Sequence, residues 1–247
     1  AFENILHPFQ PFALGQNSFP LKVAIQNKIK LVIYGDGNEE RASGKSDSKL
    51  VNKDLKLYNF LYREKNDDIF LGGIEINELI SRYKISKNDL LPFLPIAKEQ
   101  IINANLEVLP ITKFINYNPQ DNYYFAKENS NFQVNPDGRS EGTYTKYSSL
   151  DDKFDGFHYY TWFIKTGRGR ATEDAGIEVR NKIISREEAT SLVKKYDGEF
   201  PQKYFKDFLS HTNLDEKKFF EIIDKFRSPH LWDKINGKWV LKRAVWK

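Results

Sequence analysis

Residues 8–35 read PFQPFALGQNSFPLKVAIQNKIKLVIYG, and this stretch decides the fold class. Ser18 is placed as a helix N-cap with Pro20 just inside the first turn. Leu21, Ala24, Ile25 and Ile29 then recur at helical spacing. The helix is expected to end at Lys30. Leu31-Val32-Ile33-Tyr34 follows as a short, wholly apolar strand, the kind found in parallel sheets buried on both faces. A second such strand is expected over Leu106 to Ile111. Helix alternating with short apolar strand is the signature of an α/β fold. Directly after the first strand come Gly35-Asp36-Gly37-Asn38-Glu39-Glu40. They stand at the carboxyl end of the strand, where open α/β sheets bind their ligands.

Outward from there, residues 157–180 read FHYYTWFIKTGRGRATEDAGIEVR. The aromatic first half predicts a buried helix. Gly167-Arg168-Gly169-Arg170 interrupts it with two flexible residues and two guanidinium forks. Thr172, Glu173, Asp174, Glu178 and Arg180 then place charges on a second helix. Glycines, arginines and a helix N-terminus together can build an anion pocket. A plain surface turn fits the same spacing equally well.

The composition narrows the options. The chain has 247 residues, of which 40% are hydrophobic and 15% aromatic, enough for a core. It has no Cys, so disulfides, thiolate metal sites and a Cys nucleophile are excluded. His7, His158, His211 and His230 are scattered without ligand spacing, and no metal site is expected. No apolar run approaches the length of a membrane span, and no signal peptide is evident, so no membrane partner is expected. The net charge of +4 gathers at the end: residues 201–247 hold 11 Lys and Arg against 6 Asp and Glu. That suits a phosphate-bearing ligand or an acidic partner, although such runs commonly form a solvated face. The chain lacks Met and starts at Ala1, which reads as a piece of a longer protein.

The remaining segments carry weaker signals. Residues 41–53 are polar. Their Gly44-Lys45-Ser46 and Ser43–Ser48 runs imitate phosphate loops, but no buried strand precedes them. Residues 54–105 read as helical, broken by Pro92 and Pro95. Asn118-Pro119 opens a helix through Tyr123, Tyr124 and Phe125, with the tyrosine pair read as core and stacking on a base or sugar as the alternative. Residues 129–149 form a long polar loop in which Arg139, Glu141, Thr143, Lys146 and Tyr147 are placed to meet a polar ligand. Ser185 to Glu188 is a capping box whose helix stops near Gly198. Phe219, Ile222, Ile223 and Phe226 mark another amphipathic helix. Asn236-Gly237 reads as a hairpin turn.

Taken together, the 8–35 stretch, the Gly/Asn/Glu loop after it, EGTYTKYSSLDDKFDGFHYYTWFIKTGRGRATEDAGIEVRNKIISREEA and KYDGEFPQKYFKDFL…DKFRSPHLW resemble the N-acetyl sugar amidotransferase family. That family acts in pseudaminic acid, legionaminic acid and O-antigen pathways and is similar to N-type ATP pyrophosphatases. The resemblance implies a Rossmann-like ATP-pyrophosphatase sheet over residues 1–53 and a mainly helical substrate and partner region over 54–247. It implies ATP and Mg²⁺ as cofactors, a nucleotide-linked N-acetyl sugar as substrate, a glutaminase or ammonia-channel partner and a cytoplasmic setting. Gly35, Asn38, Glu39, Gly167, Gly169 and Thr172 are then the cofactor-binding residues, and Arg168, Arg170 and Asp174 the catalytic ones. Arg139, Glu141, Tyr147, His158 and Arg180 complete the set as substrate-binding residues. The family's pyrophosphate loop lies upstream of Ala1, so this piece alone is not expected to be active. Two other readings remain open: a non-catalytic docking region for a glutaminase, and an RNA-modifying pyrophosphatase relative. The tail is too weakly basic to favour the second, and nucleic acid is not expected as a partner.

Overall fold

The computed structural model describes residues 1–35, the backbone of 62–63, and 69–247. The chain divides into two compact units, Ala1–Tyr117 and Asn118–Lys247. The boundary expected after residue 53 lies outside the described residues, as do Asp36 to Glu40, the two phosphate-loop imitations and the helix expected from Leu55.

The first unit opens with a single turn, α1 (Phe2–Ile5), and a long helix, α2 (Gln10–Gln26). The helix starts eight residues before the expected cap. Pro11 sits in its first turn, where a missing N–H costs nothing, and Pro20 is carried inside. Ser18 is therefore no cap. Its buried hydroxyl donates to the carbonyls of Leu14 and Pro92, each at 2.9 Å, which ties α2 to the turn at Pro92. Strand β1 (Leu31–Tyr34) follows as expected. Later come the short strands β2 (Tyr62–Arg63), β3 (Phe70–Leu71) and β4 (Ile74–Glu75), then α3 (Ile76–Ser81) and α4 (Lys87–Leu90). A 3₁₀ turn over Leu91–Phe93 leads to β5 (Ile96–Ala97), α5 (Lys98–Ala104) and β6 (Glu107–Pro110). The β3–β4 hairpin, turned at Gly72-Gly73, falls within the region read as helix.

Strands β1 and β6 pair in parallel, Leu31 opposite Glu107 through Tyr34 opposite Pro110, and β2 pairs in parallel with β5. Val32 and Tyr34 face the cluster of Leu21, Ala24, Ile96, Ile101, Leu106 and Val108. The other face departs from the expectation of burial on both sides: Leu31 is 45% and Ile33 51% exposed, because α2 and α5 cover only one face of this two-stranded ladder.

The second unit is helical apart from a long loop and a terminal hairpin. It begins with α6 (Pro119–Asn129), capped by Asn118, whose side chain accepts from the N–H groups of Gln120 and Asp121. No residue of α6 is buried, and Phe125 is 69% exposed, so Tyr123 and Tyr124 are not core. Tyr123 instead stacks on Tyr147 at 4.8 Å. After the loop come α7 (Asp155–Thr166), α8 (Arg170–Arg180), α9 (Arg186–Tyr196), α10 (Phe205–Thr212) and α11 (Glu216–Lys225). The capping box of Ser185 and Glu188 starts α9 as expected. Strands β7 (Trp232–Ile235) and β8 (Lys238–Leu241) close the chain as an antiparallel hairpin around Asn236-Gly237.

The core of this unit is aromatic. Phe157 of α7 stacks on Phe208 of α10 at 4.2 Å, and Phe219 of α11 meets both edge-on. Each offset or edge-on pair adds about 0.5–1.5 kcal/mol beyond the area it buries. The indole N–H of Trp232 donates to the carbonyl of Ile164 at 2.8 Å, which pins the terminal hairpin to α7. Among the described residues no helix is long and apolar enough to cross a membrane.

Candidate functional site

The Gly/Arg turn joins α7 to α8. Helix α7 ends at Gly167, whose φ of 73° lies in the left-handed region and whose N–H donates to the carbonyl of Phe163 at 2.8 Å. Three residues later α8 starts, and its N-terminus carries free backbone donors and the positive end of the helix dipole. The protein fills this position itself. Asp197, just past the end of α9, accepts from the N–H of Gly169 at 2.9 Å, from the N–H of Thr172 at 3.0 Å and from the Thr172 hydroxyl. The carbonyl of Gly142 takes the N–H of Ala171 at 3.1 Å. Gly169 permits the approach, since a Cβ there would lie 2.8 Å from Asp197 Oδ1. Burial pushes the Asp197 carboxyl up, and the Thr172 and Gly169 donors pull against it. The anion expected at this helix start is thus a side chain of the same unit, and a ligand phosphate does not fit donors already taken. Gly169 and Thr172, expected to bind the cofactor, are here bonded to Asp197.

Behind the turn lies a buried polar network. Arg170 is only 9% exposed. Its Nε donates to Asp174 Oδ1 at 3.1 Å, and its guanidinium lies 4.4 Å from the ring centroid of Tyr159. Burial works against the Arg170 charge, but Asp174, Tyr159 and Asp155 outweigh it and raise its pKa. Asp174 also accepts from the Thr143 hydroxyl at 2.8 Å. Thr143 contacts Thr145 at 3.3 Å, and Thr145 donates to Ser148 at 2.7 Å. One turn further along α8, Glu178 accepts from the Tyr144 hydroxyl at 2.8 Å, and burial pushes both groups up. Asp174 and Glu178 therefore fasten the 139–149 loop to α8, and Arg170 backs Asp174 from the same helix. Arg170 Nε and both carboxylate oxygens of Asp174, expected to be catalytic, are thus bonded inside the protein. Arg168 differs in being exposed.

An open cleft of about 710 Å³ lies in the same unit, between the limbs of the loop and the turn before α10. Residues 133–137, 139–141 and 149–153 line it, with Gly156, Pro201, Lys203 and Tyr204. Arg139 makes a two-pronged pair with Glu199, at 2.6 and 2.8 Å, and lies 4.6 Å from the ring centroid of Tyr196. Burial and the Arg139 guanidinium act in opposite directions on Glu199, and the guanidinium prevails: its carboxyl titrates below the usual range. Glu141 accepts from the N–H of Lys203 at 2.9 Å, and Lys203 pairs with Asp137 at 2.5 Å. Below the cleft, Asp155 accepts from Ser149, and burial pushes its carboxyl up.

The other expected residues fall as follows. Arg139 and Glu141 line the cleft; Tyr147, His158 and Arg180 do not. Tyr147 stacks on Tyr123, half-buried His158 meets the ring of Tyr159 at 5.1 Å, and exposed Arg180 ends α8, remote from its Gly/Arg start. Gly35 closes β1 at the carboxyl end of the parallel pair, with no atom within 4 Å of where a Cβ would stand. Asn38, Glu39 and Glu40 lie outside the described residues. Among the described residues no group of three or more His, Asp or Glu side chains is arranged to hold a metal ion. Asp197 and Glu199 were not anticipated: KKYDGEF reads locally as a helix stop, and nothing near it signals partners 25 and 60 residues away.

Residues 141–245 match the family model described as LPS biosynthesis protein WbpG-like, C-terminal domain. The matched segment runs from the cleft loop through the Gly/Arg turn to the terminal hairpin. It links this part of the chain to lipopolysaccharide biosynthesis. A search of curated proteins found no match.

Proposed function

We propose that the protein is an ATP-dependent amidotransferase of lipopolysaccharide biosynthesis that converts the N-acetyl group of a nucleotide-linked sugar to an acetamidino group. The observation that carries this reading is the match of residues 141–245 to an LPS biosynthesis domain, over a segment that supplies part of the cleft lining. The sequence resemblance to N-acetyl sugar amidotransferases supplies the reaction, and the parallel pair β1–β6 with Gly35 at its carboxyl end suits a Rossmann-like nucleotide sheet. An amide oxygen is a very poor leaving group, and ATP, when bound, supplies the activation that lets ammonia replace it.

The described residues contribute binding and orientation. The cleft holds the sugar, the Arg139–Glu199 pair sets the shape of its wall, and Arg168 is the guanidinium open to an anionic group. The start of α8 takes no part in holding phosphate, because Asp197 occupies it. In this reading a glutaminase delivers the ammonia and the setting is cytoplasmic.

The test incubates the full-length protein with ATP, Mg²⁺, ammonium and a CMP- or UDP-linked N-acetyl sugar. The expected products are AMP, pyrophosphate and a sugar in which one oxygen has become NH by mass. Absence of AMP with every such sugar, while a glutaminase co-purifies with the chain, would instead establish a docking role.

A further inference from the structure

We infer that the 710 Å³ cleft is a carbohydrate subsite that receives the sugar ring and rejects phosphate. This rests on the reading of the substrate as a nucleotide-linked sugar and says which end of it enters. Three cations line the cleft, and each is already committed to a carboxylate. Arg139 is clasped by Glu199, Lys153 pairs with Asp207 at 3.1 Å, and Lys203 pairs with Asp137 at 2.5 Å. The lining carboxylates are not matched in return. Asp151 has no hydrogen-bond or ion-pair partner among the described residues. Asp152 accepts only the N–H of Phe154 through Oδ1, at 2.6 Å, and Glu141 only the N–H of Lys203 through Oε1.

The wall therefore presents spare acceptors and no spare cation. A phosphate entering it would meet carboxylates with nothing to offset their charge. A hexose carries hydroxyl and amide donors that match free carboxylate oxygens, in hydrogen bonds stronger than neutral ones. Leu150, Pro136 and Pro201 give the same wall apolar patches for the C–H faces of a sugar ring. Mixed lining with a few convergent polar groups is what a small-molecule site requires. The nucleotide and its phosphates then stay outside the cleft.

The test is calorimetric titration of the full-length protein with N-acetylglucosamine, UDP-N-acetylglucosamine, UDP and inorganic phosphate, repeated on Asp151→Ala. Asp151 is exposed and unpartnered, so the variant is expected to fold. Both sugars should bind the parent, and the variant should lose affinity for both by about tenfold, the worth of one charge-assisted hydrogen bond. UDP and phosphate should respond little to the substitution. Phosphate that displaces N-acetylglucosamine from the parent, or sugar affinity equal in parent and variant, overturns the assignment. Sugar binding that persists in a protein releasing no AMP would sink the amidotransferase reading and leave the subsite standing.

Discussion

Replacing Asp197 with Ala tests whether the start of α8 is an internal latch. The carboxylate accepts from two backbone N–H groups and one hydroxyl, and it stands at the positive end of the α8 dipole. Loss of a helix cap costs about 0.5–2 kcal/mol. The substitution also leaves the buried N–H of Gly169 without a partner, at about 1–3 kcal/mol. Relief from burying the Asp197 charge offsets part of this. A net loss of about 2–4 kcal/mol is expected, a fall in Tm of roughly 10 °C for a unit of this size. Tryptophan fluorescence in urea isolates the effect, because Trp162, Trp232, Trp239 and Trp246 all lie in the second unit. The midpoint should drop with little change in slope. A loss below about 0.5 kcal/mol, the range of an ordinary surface substitution, would refute the latch. It would leave the donors of α8 available to a ligand.

Two further perturbations separate structural groups from functional ones. Arg170→Ala strips Asp174 of its buried partner and should cost about 3–5 kcal/mol, whereas exposed Arg168→Ala should stay within about 0.5 kcal/mol. If urea unfolding finds the two equally tolerated, Arg170 is not a strut; a fall in turnover for Arg168→Ala at unchanged stability marks Arg168 as the working guanidinium. Burial raises the Asp155 carboxyl above its unfolded value, so the folded state holds that proton more tightly. Stability from this group is highest at low pH and declines as pH rises from the ordinary carboxylate range through the raised value. Glu178 and Asp197 act in the same direction and Glu199 in the opposite one. Asp155→Asn should flatten the decline over that window, and an unchanged slope in pH-dependent urea titrations contradicts it.

The contrast between Arg168 and Arg170 shows what the sequence could and could not reveal. Elements set by local chemistry were legible: the strand at Leu31–Tyr34, the Asn118 cap, the Ser185–Glu188 box and the Asn236-Gly237 turn each follow from a few adjacent residues. The start of α2 was missed because Ser18 has the chemistry of a cap, and only the distant Pro92 carbonyl shows that its hydroxyl is spent inside a helix. At the Gly/Arg turn the sequence allowed either an anion pocket or a plain surface turn, and an anion is there, the carboxylate of Asp197. Its source was invisible, because Asp197 reaches Thr172 from 25 residues away. Arg139 was likewise read as facing a ligand, while Glu199, 60 residues on, holds it in the wall. In both places the conspicuous cation or donor is bound by a carboxylate from the turn at residues 197–199. That turn stands against Phe163, since a Cβ on Gly198 (φ +77) would lie 2.2 Å from its ring. One short turn thus fastens the start of α8 and the cleft wall at once. Asp151, by contrast, lines the cleft with no partner among the described residues.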